Sequence, residues 1–207
     1  MIMVTTGERQ RNARGEGSRL RLEIVQATQA LLADGEAATL RSIARRAGIS
    51  APSIYRHFPD VDAVMSAVAD DAFDELVEAL VEKRDRHTDE TARLWAIADG
   101  YLDFARERPH IYRVMFGGLW NAAVALESHP GEDAHFREMG MNAFRLLVAA
   151  IQDCVDAGSS SSVDPRRDAA ALWAGLHGIA QLRVTAPLFD WPADTDRALV
   201  GSLARLT

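Results

Sequence analysis

Residues 39–58 read TLRSIARRAGISAPSIYRHF, and this stretch decides the fold. Apolar side chains recur on one face of residues 40–47, which predicts a short helix that Thr39 can cap and Gly48 can end. Ser50 is suited to cap a second short helix, in which Pro52 is tolerated in the first turn and Ile54 faces inward. Two short helices joined by a tight turn form a helix-turn-helix candidate.

Helical spacing continues on both sides of this stretch. Apolar residues from Leu20 to Leu31 predict a helix that begins at Ser18 and stops before Gly35, and a longer helix is expected from about Asp60 to Arg86. Further along, the spacing stays helical between breaks at 158–165, where we expect a loop with Pro165, and at 191–192. Because no segment shows strand alternation, the sequence predicts an all-α protein.

The string 39–58 strongly resembles the DNA-binding motif of the tetracycline-repressor (TetR) family, and the resemblance extends over about residues 18–78. It implies a three-helix DNA-binding domain whose third helix enters the major groove. By position, it implies phosphate contacts from Thr39, Tyr55 and His57, and exposed positions on the recognition helix for Ser53 and Arg56. Ser50, which precedes that helix, completes the expected DNA-binding set. Val61 stands where the family often has Lys, which removes one expected phosphate contact.

The C-terminal part resembles the family's regulatory domain more loosely. The resemblance rests on the sequence segments 108–116 and 171–180, and its markers in the second segment are Trp173, His177 and Gly178. It implies a ligand cavity and a four-helix dimer interface. We expect that interface to use a helix over 172–188 together with a last helix bearing Leu199, Leu203 and Leu206.

Bulky side chains between residues 95 and 177 are the candidates for lining the ligand cavity, although aromatic residues at helical spacing also fill ordinary cores. His177 is a polar ring among apolar neighbours and needs a hydrogen-bond partner from either the protein or a ligand. The predicted ligand-binding set is Trp95, Tyr101, Phe104, Tyr112, Met115, Phe116, Trp120, Phe144, Trp173 and His177.

Charge is divided unevenly along the 207 residues, whose formal net charge is −7. Residues 1–60 carry a net charge of +3 and residues 61–207 a net charge of −10, which suits a protein that meets DNA with one end only. We expect a flexible basic arm over 1–17, a DNA-binding domain over 18–78 and a helical ligand-binding and dimerisation domain over 85–207. A signal peptide and a membrane span are not expected, so the predicted location is cytoplasmic.

Catalytic patterns are missing from the sequence. It contains no phosphate-binding glycine loop and no His-Glu-x-x-His, and its single cysteine, Cys154, cannot form a zinc site by itself. We therefore expect no enzyme activity, metal or cofactor. The resemblance implies a homodimeric repressor that binds a palindromic double-stranded operator, with half-sites roughly 34–36 Å apart, and is released by a small, mostly apolar effector. The alternative is an all-helical small-molecule sensor or partner-binding protein that has lost DNA binding.

Overall fold

The computed structural model describes residues 16–128, 131 and 133–207. The predicted arm over 1–17 therefore lies almost wholly outside the described residues. Within them the chain is helical, and the elements in order are α1 (Glu16–Ala33), α2 (Leu40–Ala47), α3 (Ala51–Ile54), α4 (Val61–Arg84), α5 (Glu90–Glu107), α6 (Pro109–Met115), α7 (Ala122–Ser128), α8 (Asp133–Glu138), α9 (Met141–Asp156), α10 (Pro165–Thr185) and α11 (Thr195–Leu203). The all-α prediction is confirmed.

The described residues divide into two compact units, and the division falls between Val64 and Met65, inside α4. In the first unit, α1 packs against α2, and α2 packs against α3. Its core includes Ile24, Leu31, Ile43 and Ile54, which the helical spacing predicted to be inward, together with Phe58, and all five are almost completely buried. Burial of these side chains is the main force that holds the two short helices α2 and α3 against α1.

The second unit is built around α5, α9 and α10, each of which packs against the other two. Leu94, Ile97, Ile151, Leu172 and Leu176 are fully buried at the centre of this group. The last helix, α11, packs against α10 at a glycine. A Cβ atom added to Gly175 would come within 2.9 Å of a Leu199 methyl group and 3.0 Å of one of Leu203. Two side chains expected at the dimer interface thus pack within their own chain.

The segment expected to be a loop at 158–165 is more ordered than a simple connection. Ser160 forms an isolated antiparallel bridge with Leu206, and the Ser160 hydroxyl donates to the Ala204 carbonyl over 2.7 Å. Pro165 is the first residue of α10 rather than part of the loop, since proline is favourable at the first helical position. Within the described residues this bridge is the only β-type pairing.

Two expected helix ends were wrong. The helix that carries Trp173 ends at Thr185 rather than Leu188, because Pro187 disfavours the helical conformation of the residue before it. Leu188 is 98 % exposed beyond that end. The last helix ends at Leu203, so Leu206 does not continue its apolar stripe but lies in the bridge with Ser160.

Candidate functional site

The helix-turn-helix begins with a fully formed cap on α2. The Thr39 hydroxyl accepts the Ser42 backbone N–H over 3.0 Å, and the Thr39 N–H donates to the Ser42 hydroxyl over 2.9 Å. At the other end Gly48 adopts the left-handed conformation, with φ +66°, and the Ile49 N–H donates to the Ala44 carbonyl over 3.0 Å. This conformation turns the chain sharply into α3 and favours glycine. The caps therefore fix the start of α2 and the turn that follows it.

The polar side chains near α3 differ in exposure. Ser53, within the helix, is half-buried rather than exposed as expected, and Tyr55 and Arg56 lie just beyond the end of the helix. Ile54 and Phe58 are buried, whereas Tyr55 is 60 % exposed and Arg56 is exposed as well. The Ser50 and Ser53 hydroxyls lie 2.8 Å apart. Ser50 occupies the N-cap position of α3, but its hydroxyl makes no capping bond to the backbone, so the expected cap is formed in backbone conformation only.

Pairing with acids separates the arginines of this unit into two groups. Arg45 pairs with Glu36 over 3.2 Å, and Arg46 pairs with both Asp34 and Glu36 over 2.7 and 2.8 Å. Hydrogen bonding to Asp34 is the main reason that the pKa of Arg46 is raised. Arg41 and Arg56, in contrast, are exposed and have no ion pair among the described residues. Their positive charges are therefore available to an anionic partner.

Arg41 and Arg21 are two residues that the sequence reasoning missed. Arg41 could have been found from its position, since it is the second residue of a capped helix in the motif. Arg21 lies on α1, with its guanidinium 4.3 Å from the centre of the Phe58 ring and its Nη1 3.5 Å from the His57 carbonyl. It covers the end of α3 and helps to hold His57, which is half-buried. No local pattern in the sequence indicated that contact.

The start of α4 carries negative charge, in contrast to the exposed arginines of the helix-turn-helix. Asp60 accepts the Ala63 backbone N–H over 2.8 Å, and Asp62 lies in the first turn. Carboxylates here neutralise the partial positive charge of the helix N-terminus, which would otherwise attract phosphate. Together with Val61, they make this helix start unfavourable for a phosphate contact.

The second unit contains a cavity of about 380 Å³. Of the predicted ligand-binding residues, five line it, namely Tyr101, Met115, Phe116, Phe144 and Trp173. The sequence reasoning missed its other lining residues, which come from α4, α5, α8, α9, the turn between α8 and α9, and α10. These are Phe73, Leu76, Leu80, Ile97, Phe136, Met139, Gly140, Met141, Ala143, Leu147, Arg166, Ala170 and Leu176.

Gly140 lines the cavity where the turn between α8 and α9 comes close to Phe73 of α4. It has φ +75°, and a Cβ atom added there would lie 2.7 Å from an atom of the Phe73 ring. The turn between α8 and α9 can therefore approach α4 only because residue 140 has no side chain. The apolar spacing of Phe73, Leu76 and Leu80 on α4 was a usable signal for this wall, but the sequence did not show what would face it.

The other five predicted ligand-binding residues lie outside the cavity lining. Trp95 is covered by Arg197, whose guanidinium lies 5.0 Å from the Trp95 ring. Phe104 is buried, and Trp120 is buried with its ring 6.0 Å from that of Phe136. Tyr112 and His177 lie one layer behind the wall, in contact with the lining residue Phe116 at ring distances of 4.6 and 4.9 Å.

Tyr112 and His177 belong to a hydrogen-bond chain that starts at the cavity wall. The Tyr101 and Tyr112 hydroxyls are 2.8 Å apart, and the Tyr112 hydroxyl lies 2.7 Å from Nδ1 of His177. Burial raises the pKa of Tyr101 to about 12 and raises that of Tyr112 further, while burial lowers the pKa of His177. All three groups are therefore neutral near pH 7, and His177 has the protein partner that its polarity requires.

The part of the chain that the structure describes holds no cluster of three or more His, Cys, Asp or Glu side chains that could bind a metal ion. Its helices include none that is long and apolar enough to cross a membrane.

Two family models match this chain. Residues 24–68, which include α2 and α3, match the model "Bacterial regulatory proteins, tetR family". Residues 94–206 match the model "Tetracyclin repressor-like, C-terminal domain", which by itself covers more than half of the chain. The first match contains the capped helix-turn-helix, and the second contains most of the cavity wall.

Individual proteins are similar over different extents. The HTH-type transcriptional activator FasR of Mycolicibacterium smegmatis is 30 % identical over 125 residues, which are 56 % of this chain and 57 % of that protein. The chain thus spans about half the length of the curated relatives that it matches. A Rhodococcus sp. RHA1 protein of unknown function is 28 % identical, with a TM-score of 0.72 over 90 % of this chain and 94 % of that one.

The transcriptional regulator FadR from Bacillus subtilis, whose structure is a complex with stearoyl-CoA, shares the fold. Its TM-score is 0.70, with 13 % identity over 88 % of this chain and 97 % of that chain.

Proposed function

Because the chain belongs to the TetR family of DNA-binding transcriptional regulators, we propose that it acts as a homodimeric repressor whose DNA affinity is controlled by a small, mostly apolar molecule. Members of such a family are regulators rather than enzymes. In this proposal residues 18–78 form the DNA-binding domain and residues 85–207 the ligand-binding and dimerisation domain. The observation that carries the proposal is the capped α2–α3 motif with Tyr55, Arg41 and Arg56 exposed on it.

We assign DNA contacts by the chemistry of the exposed groups. Arg56 can donate two parallel hydrogen bonds to guanine in the major groove, with Ser53 beside it. Thr39, Tyr55 and His57 contact phosphates, and Arg41 adds a charge that no acid of the described chain neutralises. We assign no DNA contact to Arg45 or Arg46, because Arg45 pairs with Glu36 and Arg46 pairs with Asp34 and Glu36.

The dimer interface is proposed on the outward face of α10 and α11. Ala174 on α10 and Ala198 on α11 are exposed, and a Cβ added to Gly178 or to Gly201 would meet no atom within 4 Å. Leu182 extends the same side of α10 and is 49 % exposed. A face of small and apolar side chains lets helices of a second copy approach closely. A two-fold dimer presents two recognition helices, so the operator is a palindrome.

The effector site is proposed in the cavity. Its volume of about 380 Å³ and its apolar walls are typical of sites that hold small ligands by burial. The Tyr101 hydroxyl on its wall supplies a polar group to orient the ligand, and Tyr112 and His177 hold that hydroxyl in place. The complex of B. subtilis FadR with stearoyl-CoA supports this choice, because it shows that a protein of this fold can accept a long apolar chain.

We propose that α4 couples the two events. Its first residues belong to the first unit, and Phe73, Leu76 and Leu80 further along the same helix line the cavity. A ligand releases the protein only if it binds the DNA-incompetent arrangement more tightly, and DNA then weakens the ligand by the same factor. A tenfold loss of DNA affinity requires about 1.4 kcal/mol of coupling, which is within the range of one repacked contact.

The first test is whether the purified protein retards a DNA fragment from the region upstream of its own gene. We expect retardation that weakens as salt is raised and that Tyr55→Ala reduces without changing the circular dichroism spectrum. An unrelated fragment of equal length is the control. Equal retardation of both fragments would contradict operator recognition. If neither fragment is retarded at low salt, the alternative of a helical small-molecule sensor without DNA binding, which the acidic start of α4 favours, replaces the proposal.

A further inference from the structure

The cavity wall carries a single charge among the described residues that line it. Arg166 is the one ionised side chain there, and Tyr101 and Trp173 are the lining residues whose side chains carry a polar group. Arg166 is exposed, so its guanidinium lies where the cavity meets solvent. A positive charge at the mouth of an apolar cavity selects for the charge of whatever enters.

Arg166 has no acidic partner in the part of the chain that the structure describes. Two carboxylates lie two residues from it in the sequence. Asp164 caps α10 by accepting the Arg167 backbone N–H over 3.0 Å, and Asp168 is occupied by other partners. Its oxygens accept from the Ser162 hydroxyl over 2.6 Å, from Arg205 over 2.8 Å and from Arg167 over 3.2 Å. These bonds also lower the pKa of Asp168, the largest effect being that of Ser162. Asp168 is therefore a structural anion that ties α10 to the end of the chain, and it leaves Arg166 unneutralised.

A contact with the cavity wall holds the Arg166 guanidinium in place. The guanidinium lies 5.3 Å from the centre of the Phe144 ring, and Phe144 itself lines the cavity. A cation–π contact of this kind fixes the stem of the side chain but satisfies none of the five N–H donors of the guanidinium. These donors remain free to bind a planar anion, which an arginine can hold with two parallel hydrogen bonds.

The spacing along α10 gives the length of the site. Arg166, Ala170 and Trp173 follow one another at four and three residues, so they lie on one face of the helix and all line the cavity. Leu176, three residues further on, is the last residue of α10 in the lining. With a rise of 1.5 Å per residue, Arg166 and Leu176 are about 15 Å apart along the helix axis. The charged end of the site is therefore followed by an apolar wall along α10.

We propose that the effector is an apolar acid, a molecule with one carboxylate or similar anion bound by Arg166 and an extended apolar body that fills the cavity toward Tyr101. This inference rests on the proposed function of the cavity and narrows its ligand class. Neutral and cationic molecules of the same size are disfavoured, because they leave the Arg166 donors without an acceptor. Arg166 is thus the specificity-determining residue of the site.

The test uses two probes with ten carbons each. Decanoate has a negatively charged carboxylate head group, and 1-decanol has a neutral hydroxyl. Binding to the full chain is followed by quenching of tryptophan fluorescence, since Trp173 lines the cavity, and stoichiometry is measured by calorimetry. The variants are Arg166→Gln, which removes the charge, and Arg166→Lys, which keeps it. Arg197→Gln is the matched control, because Arg197 also lies over an aromatic ring, that of Trp95, but outside the cavity lining.

We expect decanoate to bind once per chain, and Arg166→Gln to weaken it at least tenfold, which corresponds to about 1.4 kcal/mol. Arg197→Gln leaves decanoate binding unchanged, Arg166→Lys retains part of it, and 1-decanol binds the wild type and Arg166→Gln equally. If decanoate binds Arg166→Gln as tightly as the wild type, or if both glutamine variants weaken it equally, the anion inference is wrong while the cavity remains a ligand site. If neither probe binds the wild type, the proposed effector site fails together with the inference.

Discussion

Replacing Tyr112 with Phe should destabilise the protein although the ring stays in place. The hydroxyl of Tyr112 is the middle of the chain between Tyr101 and His177, with distances of 2.8 and 2.7 Å. Tyr112→Phe keeps the ring contacts with Tyr101 and Phe116, at 5.9 and 4.6 Å. It removes two hydrogen bonds and leaves the buried Tyr101 hydroxyl without its Tyr112 partner, so that only the Trp173 side chain remains beside it.

The expected magnitude follows from that orphaned group. A buried polar group without a partner costs about 1–3 kcal/mol. Since His177 is half-buried and can find water, we expect Tyr112→Phe to lower the free energy of unfolding by about 2 kcal/mol. Tyr101→Phe removes the first hydroxyl of this hydrogen-bond chain and leaves the bond between Tyr112 and His177 intact. It should therefore lower the free energy of unfolding by only about 1 kcal/mol.

The assay is urea denaturation followed by circular dichroism at one fixed protein concentration, because the stability of a dimer depends on concentration. The double variant Tyr101→Phe/Tyr112→Phe has no orphaned Tyr101 hydroxyl, so its loss should be smaller than the sum of the two single losses. A Tyr112→Phe protein whose free energy of unfolding lies within about 0.5 kcal/mol of the wild-type value would refute this account of the hydrogen-bond chain. Strictly additive losses in the double variant would refute it as well.

Three further changes have defined outcomes. Burial lowers the pKa of His177 from its usual 6.5, so the unfolded chain takes up a proton at His177 before the folded protein does as the pH falls. Between pH 7.5 and 5.5 the free energy of unfolding should therefore fall more for the wild type than for His177→Gln, and equal falls would contradict this. Gly48→Ala should cost about 1 kcal/mol of stability in the same urea assay, because alanine is strained at φ +66°, and an unchanged midpoint would show that the turn is not fixed. Ala174→Arg should yield a monomer by light scattering, whereas the exposed control Ala123→Arg should remain dimeric; a dimeric Ala174→Arg would exclude the proposed interface.

Much of the fold could be predicted from local chemistry. The capping hydroxyl of Thr39, the left-handed Gly48 and the buried positions Ile43 and Ile54 depend on interactions within a few residues of each other, so the sequence displays them. The end of α10 was misplaced because apolar residues continue to Leu188, whereas the helix ends at Thr185, two residues before Pro187. At this position the proline was a better indicator of the helix end than the apolar spacing.

The candidate site could be predicted only in part, because a cavity is a property of packing between distant segments. The aromatic spacing indicated Tyr101, Phe116 and Trp173, which do line the cavity. It could not distinguish them from Trp95, whose ring faces Arg197 instead. The role of His177 depended on the Tyr112 hydroxyl, 65 residues away in the sequence, which no local pattern reveals.

The same limit applies to the charged residues of the DNA-binding unit. Arg41, Arg45, Arg46 and Arg56 look equivalent in the sequence. Contacts with Asp34 and Glu36 set two of them apart in the structure. Which arginines are free is therefore a tertiary property, and it makes the proposed DNA surface testable residue by residue.

The measurement that tests the central claim most directly is fluorescence anisotropy of a labelled upstream fragment titrated with Arg41→Ala, Arg56→Ala and Arg45→Ala proteins. We expect the first two to bind about tenfold or more weakly than the wild type, with the salt slope lowered by about 1 for each lost phosphate contact, because their charges are unpaired. Arg45→Ala, whose charge is paired with Glu36, should bind nearly as the wild type does. Wild-type affinity in both Arg41→Ala and Arg56→Ala would contradict DNA recognition by this face of the motif.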